Sequence, residues 1–89
     1  MADDVEVRDN RDASRFELTV EGQMAVLEYE RKDGAMVFNH TEVPAQLRGR
    51  GYGEILVKAG LDAARAEGLR IVAVCPYVRA YLRKHPGRS

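Results

Sequence analysis

Residues 48–53 read Arg48-Gly49-Arg50-Gly51-Tyr52-Gly53, three glycines and two arginines in six positions. This stretch divides the chain. Before it, apolar residues recur at every second position; after it, at every third or fourth. A period of 2 belongs to a half-buried strand and a period of 3.6 to an amphipathic helix. A bare, basic loop at such a junction has a chemical consequence. The first N–H groups of a helix have no acceptor inside it, glycines let a ligand approach them, and the helix dipole favours negative charge there. Arg48 and Arg50 add charge-assisted donors. The spacing G-x-G-x-G is not the dinucleotide fingerprint G-x-G-x-x-G, and no Gly-Lys-Ser/Thr closes it as in a Walker loop. What fits is R-x-x-G-x-G, on Arg48, Gly51 and Gly53. Pyrophosphate binding and a flexible, solvated loop are the two readings.

Upstream, Pro44 closes a strand running from about Ala35 to Val43. Asp33-Gly34 before it is a hairpin signal, because both central positions of a type I′ turn need positive φ. Ala25, Leu27 and Tyr29 mark another strand, and Glu21-Gly22-Gln23 a tight turn. Phe16, Leu18 and Val20 alternate with Arg15, Glu17 and Thr19. Arg8 to Ser14 reads as a polar loop, and Val5 and Val7 as a short first strand. Downstream, Tyr52, Ile55, Leu56, Ala59, Ala63 and Ala66 fall on one helical face, with Glu54 and Lys58 paired on the outer one. Gly68 is the expected stop. Leu69 to Val74, apolar apart from Arg70, fits a strand buried on both faces. Pro76 opens a last helix with Tyr77, Val78, Tyr81 and Leu82 on its apolar side, and Pro86 ends it. The order ββββ–α–β–α predicts an α+β fold: an antiparallel N-terminal meander, then helix–strand–helix, in a mixed sheet.

The 89 residues allow one domain, 1–89. Fourteen basic and fourteen acidic residues cancel, which argues against a general nucleic-acid binder. The acids concentrate in the first thirty residues and the arginines after Gln46, a distribution that fits a local anion site. One cysteine, Cys75, cannot form an internal disulfide, and with no signal peptide the chain reads as cytoplasmic. No segment approaches the roughly 18 apolar residues of a membrane span. A monomer is expected, since no apolar helix face is left over.

Three blocks carry a resemblance. NHTEVPAQLRGRGYG over residues 39–53 and CPYVRAYLRKHP over 75–86, with RFEL and LEY upstream, resemble a small single-domain branch of the GNAT superfamily of N-acetyltransferases. The likeness covers essentially the whole chain, although Ala73 stands where the branch often has a proline. It implies a GNAT-like sheet and acetyl-coenzyme A as cofactor. The backbone from Thr41 to Val43 would pair with the pantetheine arm like an added strand. The N–H groups of Gly49, Arg50, Gly51, Tyr52 and Gly53, with Arg48, would hold the pyrophosphate. The acetyl group would lie between that strand and the last, near Cys75.

Acetyl transfer to an amine needs a neutral amine, a polarised carbonyl and a protonated leaving thiolate. His40 and Glu42, two apart on a strand, share a face and either can take a proton, or they are a loop contact and a solvated charge. Cys75, before Pro76 at a helix N-terminus, is placed for a lowered pKa and a covalent relay, or is a small buried hydrophobe. Tyr81 is, by resemblance, the proton donor to the coenzyme A sulfur; Tyr77 shares its helix face. No His, Cys, Asp and Glu cluster has metal-ligand spacing. The expected activity is acetyl-coenzyme A-dependent N-acetylation of an amine on a protein, a peptide or a small molecule, directly or through Cys75. A non-enzymatic coenzyme A or acyl-coenzyme A binding module is the second reading. The third is a protein-interaction module using the basic loop.

Overall fold

The computed structural model describes residues 5–85, and the expected stop at Pro86 lies outside them. Strands β1 (Val7–Asn10), β2 (Arg15–Val20), β3 (Gln23–Lys32) and β4 (Ala35–Glu42) form an antiparallel meander. Helix α1 (Tyr52–Ala66) crosses to β5 (Arg70–Ala73), which pairs parallel with β4, and α2 (Pro76–Lys84) follows. The sheet order is β1-β2-β3-β4-β5. This is the expected α+β, GNAT-like arrangement.

Turn chemistry sets the meander. Asp33 and Gly34 take positive φ in succession, which gives the type I′ hairpin expected there, and Glu21 and Gly22 do the same at the expected tight turn. On one face of the sheet Phe16, Leu18, Ala25, Leu27, Tyr29 and Phe38 are buried together with residues of both helices. The other face has no helix over it among the described residues. Glu28, Glu30, His40 and Glu42 are exposed there, while Glu17 is buried, held by Asn10 Nδ2 at 2.9 Å and Arg15 Nε at 2.8 Å.

Four local expectations are corrected. The segment expected as a loop from Arg8 is strand as far as Asn10, because Arg8, Asp9 and Asn10 pair in register with Glu17, Phe16 and Arg15. The buried face of α1 is Gly53, Leu56, Val57, Gly60, Leu61 and Ala64, so Ile55 points outward. The expected stripe runs through Ala59, Ala63 and Ala66. The close approach is made at Gly60, where an added Cβ would lie 2.9 Å from both Leu27 Cδ2 and Phe38 Cε1. Glu54 pairs with Lys84 at 2.9 Å and Lys58 with Asp62 at 2.9 Å, in place of the expected Glu54–Lys58 pair. Finally, β5 is a half-buried edge strand rather than one buried on both faces, since among the described residues only β4 pairs with it.

Helix α1 is anchored at its C-terminal end. Leu69 N–H donates to Ala64 O at 2.9 Å and Gly68 N–H to Arg65 O at 3.0 Å, with Gly68 at φ 72. This is a Schellman cap. Arg31 clamps Glu67 with two hydrogen bonds, Nε–Oε1 at 2.9 Å and Nη2–Oε2 at 2.7 Å, tying that end to β3.

Candidate active site

The β4–β5 ladder ends at Phe38–Ala73. There the Phe38 carbonyl accepts two N–H groups, from Val74 at 3.0 Å and Cys75 at 2.9 Å, and the two strands part. From Asn39 to Glu42, β4 is paired on one side only, with β3. A bulge sits at the same point. Tyr29 faces Phe38 and Glu28 faces His40, so Asn39 is an extra residue. Thr41 then faces Leu27 and lies on the helix side of the sheet, while His40 and Glu42 lie opposite Glu28 and Val26 on the uncovered side.

The parting strands open into a cleft of about 600 Å³ that runs to the glycine loop. Thr41, Val43, Arg48, Gly49, Gly51, Tyr52 and Gly53 all line it, as do His40 and Glu42. The glycines serve different purposes. Gly49 has φ 80, and Gly51, the N-cap of α1, has φ 83; a Cβ on either would meet nothing within 4 Å. They are required by the backbone and leave open space in front of the helix start. Gly53 instead makes room for Tyr77, whose Cζ would lie 2.7 Å from an added Cβ.

The arginines also part company. Arg48 lines the cleft and donates from Nε to the Val43 carbonyl at 2.9 Å, leaving its terminal nitrogens for a ligand. Arg50 is outside the lining and stands 3.7 Å from the Glu21 carboxylate.

Cys75 lies one contact behind the cleft wall. It is 4% exposed, and its Sγ is 3.3 Å from Thr41 Oγ1. Burial pushes the thiol pKa up, but the Thr41 hydroxyl and the amides of Val78 and Tyr77 at the start of α2 outweigh it, and the net position is below the ordinary thiol range. His40 Nε2 and Glu42 Oε1 are 3.4 Å apart in solvent, with side chains 56% and 69% exposed.

The structure places Tyr77 on the cleft and not Tyr81. Tyr81 is buried, stacks on His85 with centroids 4.2 Å apart, and lines a second cavity of about 180 Å³ with Glu54, Tyr77, Ala80 and Lys84. Leu47 and Tyr77 are cleft residues that the sequence reading left out of the site. For Tyr77 the signal was its place directly after Pro76, in the first turn of a helix that begins at the strand opening. Among the described residues no group of three or more His, Cys, Asp and Glu gathers to hold a metal ion, and no helix is long and apolar enough to cross a membrane.

A splayed β4–β5 pair with a glycine loop at the head of the intervening helix is specific enough to compare with known proteins. The family model of the GCN5-related N-acetyl-transferases matches residues 15–88. The chain belongs to this family. Protein NATD1 of Gallus gallus and of Mus musculus is 35% identical over 85 residues, covering 92% of this chain and 77% of each relative. Protein NATD1 of Homo sapiens is 35% identical over 85 residues, covering 92% of this chain and 75% of that protein. As a GCN5-related N-acetyltransferase domain the chain is small, and the matched span still takes in β2 to β5, the loop, the cleft and both helices. The cleft thus joins the open space before Gly49 and Gly51 to Thr41, with Cys75 behind it, and to the exposed His40–Glu42 pair.

Proposed function

We propose that the protein is an acetyl-coenzyme A-dependent N-acetyltransferase acting on an amine that approaches from the uncovered side of the sheet. The observation that carries this reading is the continuous cleft from the Gly49–Gly53 loop along β4 to His40, in the stretch of β4 beyond its last pair with β5. When bound, acetyl-coenzyme A supplies an activated acetyl thioester. The loop amides and Arg48 bind the pyrophosphate, and the backbone edge of Thr41 to Val43, where Arg48 Nε already bonds the Val43 carbonyl, aligns the pantetheine arm. The open space in front of Gly49 and Gly51 fits a phosphate group, because a side chain at either position would enter it.

His40 and Glu42 stand at the cleft rim on the solvent side, where an ammonium group must lose its proton before it attacks. Thr41 in the cleft wall and Cys75 behind it are within hydrogen-bond distance through Oγ1 and Sγ. The depressed thiol makes Cys75 a group that can hold or release a proton next to the reacting end, or carry the acetyl group itself. The open rim favours an amine on a protein or peptide over one that needs enclosure.

The test is intact-protein mass spectrometry with acetyl-coenzyme A and a lysine-containing peptide. A noncovalent coenzyme A complex in the native spectrum and an acetyl gain on the peptide are expected. An acetyl group retained on denatured protein and absent from Cys75→Ala marks the covalent route. Binding without any transfer leaves a coenzyme A binding module, and no complex at all overturns the reading.

A further inference from the structure

We propose that the groove between α1 and α2 seats the nucleoside end of coenzyme A, with the purine on the Tyr77 ring and the ribose 3′-phosphate on Lys84. The inference rests on the coenzyme A reading above and extends it to a surface that reading does not use.

Continuity is the first argument. Tyr77 lines both the large cleft and the second cavity, and Gly53 of the cleft is followed directly by Glu54 of the groove. A ligand whose pyrophosphate rests on residues 49–53 has two ends. One follows β4, and the other must leave over the start of α1. The concave surface there is the cavity of about 180 Å³. It is large enough for a purine ring and too small for the whole nucleotide, so the phosphate falls at its rim.

The lining chemistry matches. Tyr77 is 42% exposed although the hydroxyl end of its ring packs on Gly53, and an exposed aromatic residue at a groove wall offers a stacking platform for a base. Ala80, between Tyr77 and Tyr81 on the same lining, keeps the floor low. Lys84 lies on this groove and bonds Glu54 Oε2 at 2.9 Å, with side chains 64% and 43% exposed. An ion pair this exposed is weakly held. A phosphate monoester carries about −1.5 to −2 charges at neutral pH against one for a carboxylate. The phosphate therefore replaces Glu54 as the partner of Lys84, and Glu54 is its built-in competitor.

That competition makes the proposal testable by calorimetric titration of the full chain with coenzyme A and with 3′-dephospho-coenzyme A. The second ligand keeps the pyrophosphate, pantetheine and purine and lacks only the phosphate assigned to Lys84. Wild type is expected to prefer coenzyme A by about fivefold, the upper worth of an exposed charge pair. Lys84→Ala weakens coenzyme A alone and removes the preference. Glu54→Gln, which frees Lys84 and removes a repelling charge, tightens coenzyme A about two- to fivefold and leaves the dephospho ligand unchanged. Tyr77→Leu weakens both. Equal binding of the two ligands by wild type, or equal losses for both in Lys84→Ala, overturns the inference while the loop reading stands. Tyr77→Leu without effect on either removes the stacking role. If neither ligand binds, the loop reading falls and takes this inference with it.

Discussion

Gly51→Ala, compared with Gly68→Ala, isolates what the loop does. The two glycines bracket the same helix, 17 positions and therefore about 25 Å apart. Both take the left-handed conformation, φ 83 and φ 72, and at neither would a Cβ meet any atom within 4 Å. The folding cost is thus conformational in both cases, about 1 kcal/mol for an alanine held at positive φ. For a domain of this size that lowers the melting temperature by roughly 4–8 °C. Equal local strain predicts equal losses of stability. Ligand binding should divide the pair. Gly51 is a lining residue of the cleft and the N-cap of α1, and its methyl group would occupy the space in front of the helix amides. Gly68 caps the other end. Losing one or two amide–phosphate hydrogen bonds costs about 1.5–3 kcal/mol, or roughly 10- to 150-fold in coenzyme A affinity. Thermal unfolding and calorimetric titration of both variants form the assay. A folded Gly51→Ala that binds coenzyme A like wild type refutes the loop assignment, and so does a Gly68→Ala that loses as much affinity.

Other perturbations address the core, the thiol and the buried acid. Gly60→Ala should destabilise by about 1 kcal/mol in urea unfolding: the new Cβ meets Leu27 and Phe38, both fully buried, at 2.9 Å, and that overpacking exceeds the helix-propensity gain of about 1 kcal/mol. A more stable Gly60→Ala would mean that the contact is soft. Thr41→Val removes the hydroxyl beside Cys75, so the thiolate absorbance should rise at higher pH than in wild type; an unmoved titration would show that the helix amides alone depress it. Because the Cys75 pKa is lowered in the folded state, its contribution to stability is present above the unfolded thiol pKa and is lost as pH falls through the folded value. Glu17 follows the same sign at lower pH: Asn10 and then Arg15 hold its carboxyl below the usual carboxylate range, so this contribution is lost as pH falls through its folded pKa. Glu17→Gln should therefore show a shallower acid-unfolding curve than wild type, and an identical curve would show that Glu17 does not couple to folding.

Where the sequence was legible, one residue type had one use. Asp33-Gly34 can form few structures other than the type I′ turn, and both residues take positive φ. Pro76 opens α2 as its missing N–H allows, and Gly68 closes α1 in a Schellman cap. The cleft is lined by most of the residues singled out around the R-x-x-G-x-G loop. What the sequence leaves undecided, a distance between elements decides. Gly60 carries no apolar side chain, so a hydrophobic stripe passes over it, yet it sets which face of α1 meets Phe38. Arg48 and Arg50 both offer charge to the loop, but Val43 takes one and Glu21 the other. Tyr77 and Tyr81 share a helix face in projection, and only the packing against Gly53 and His85 separates them.

The bulge at Asn39 shows how much chemistry turns on one residue. Strict alternation from Phe38 would put His40 on the helix side and Thr41 on the open side. The extra residue exchanges them. Thr41 then reaches the Cys75 sulfur through the sheet's packed face, while His40 and Glu42 stand in solvent on the other. A thiol needs donors fixed around it, enough to outweigh the burial that raises it, to sit below its ordinary pKa; a group proposed to take a proton from an incoming amine needs solvent and access. On an unbulged strand these groups would trade environments: the imidazole would be buried beside Cys75, and the threonine hydroxyl would lose its partner. A chain of 89 residues has few elements with which to build two such environments. Inserting one residue at the point where β4 leaves β5 provides both from consecutive positions of a single strand.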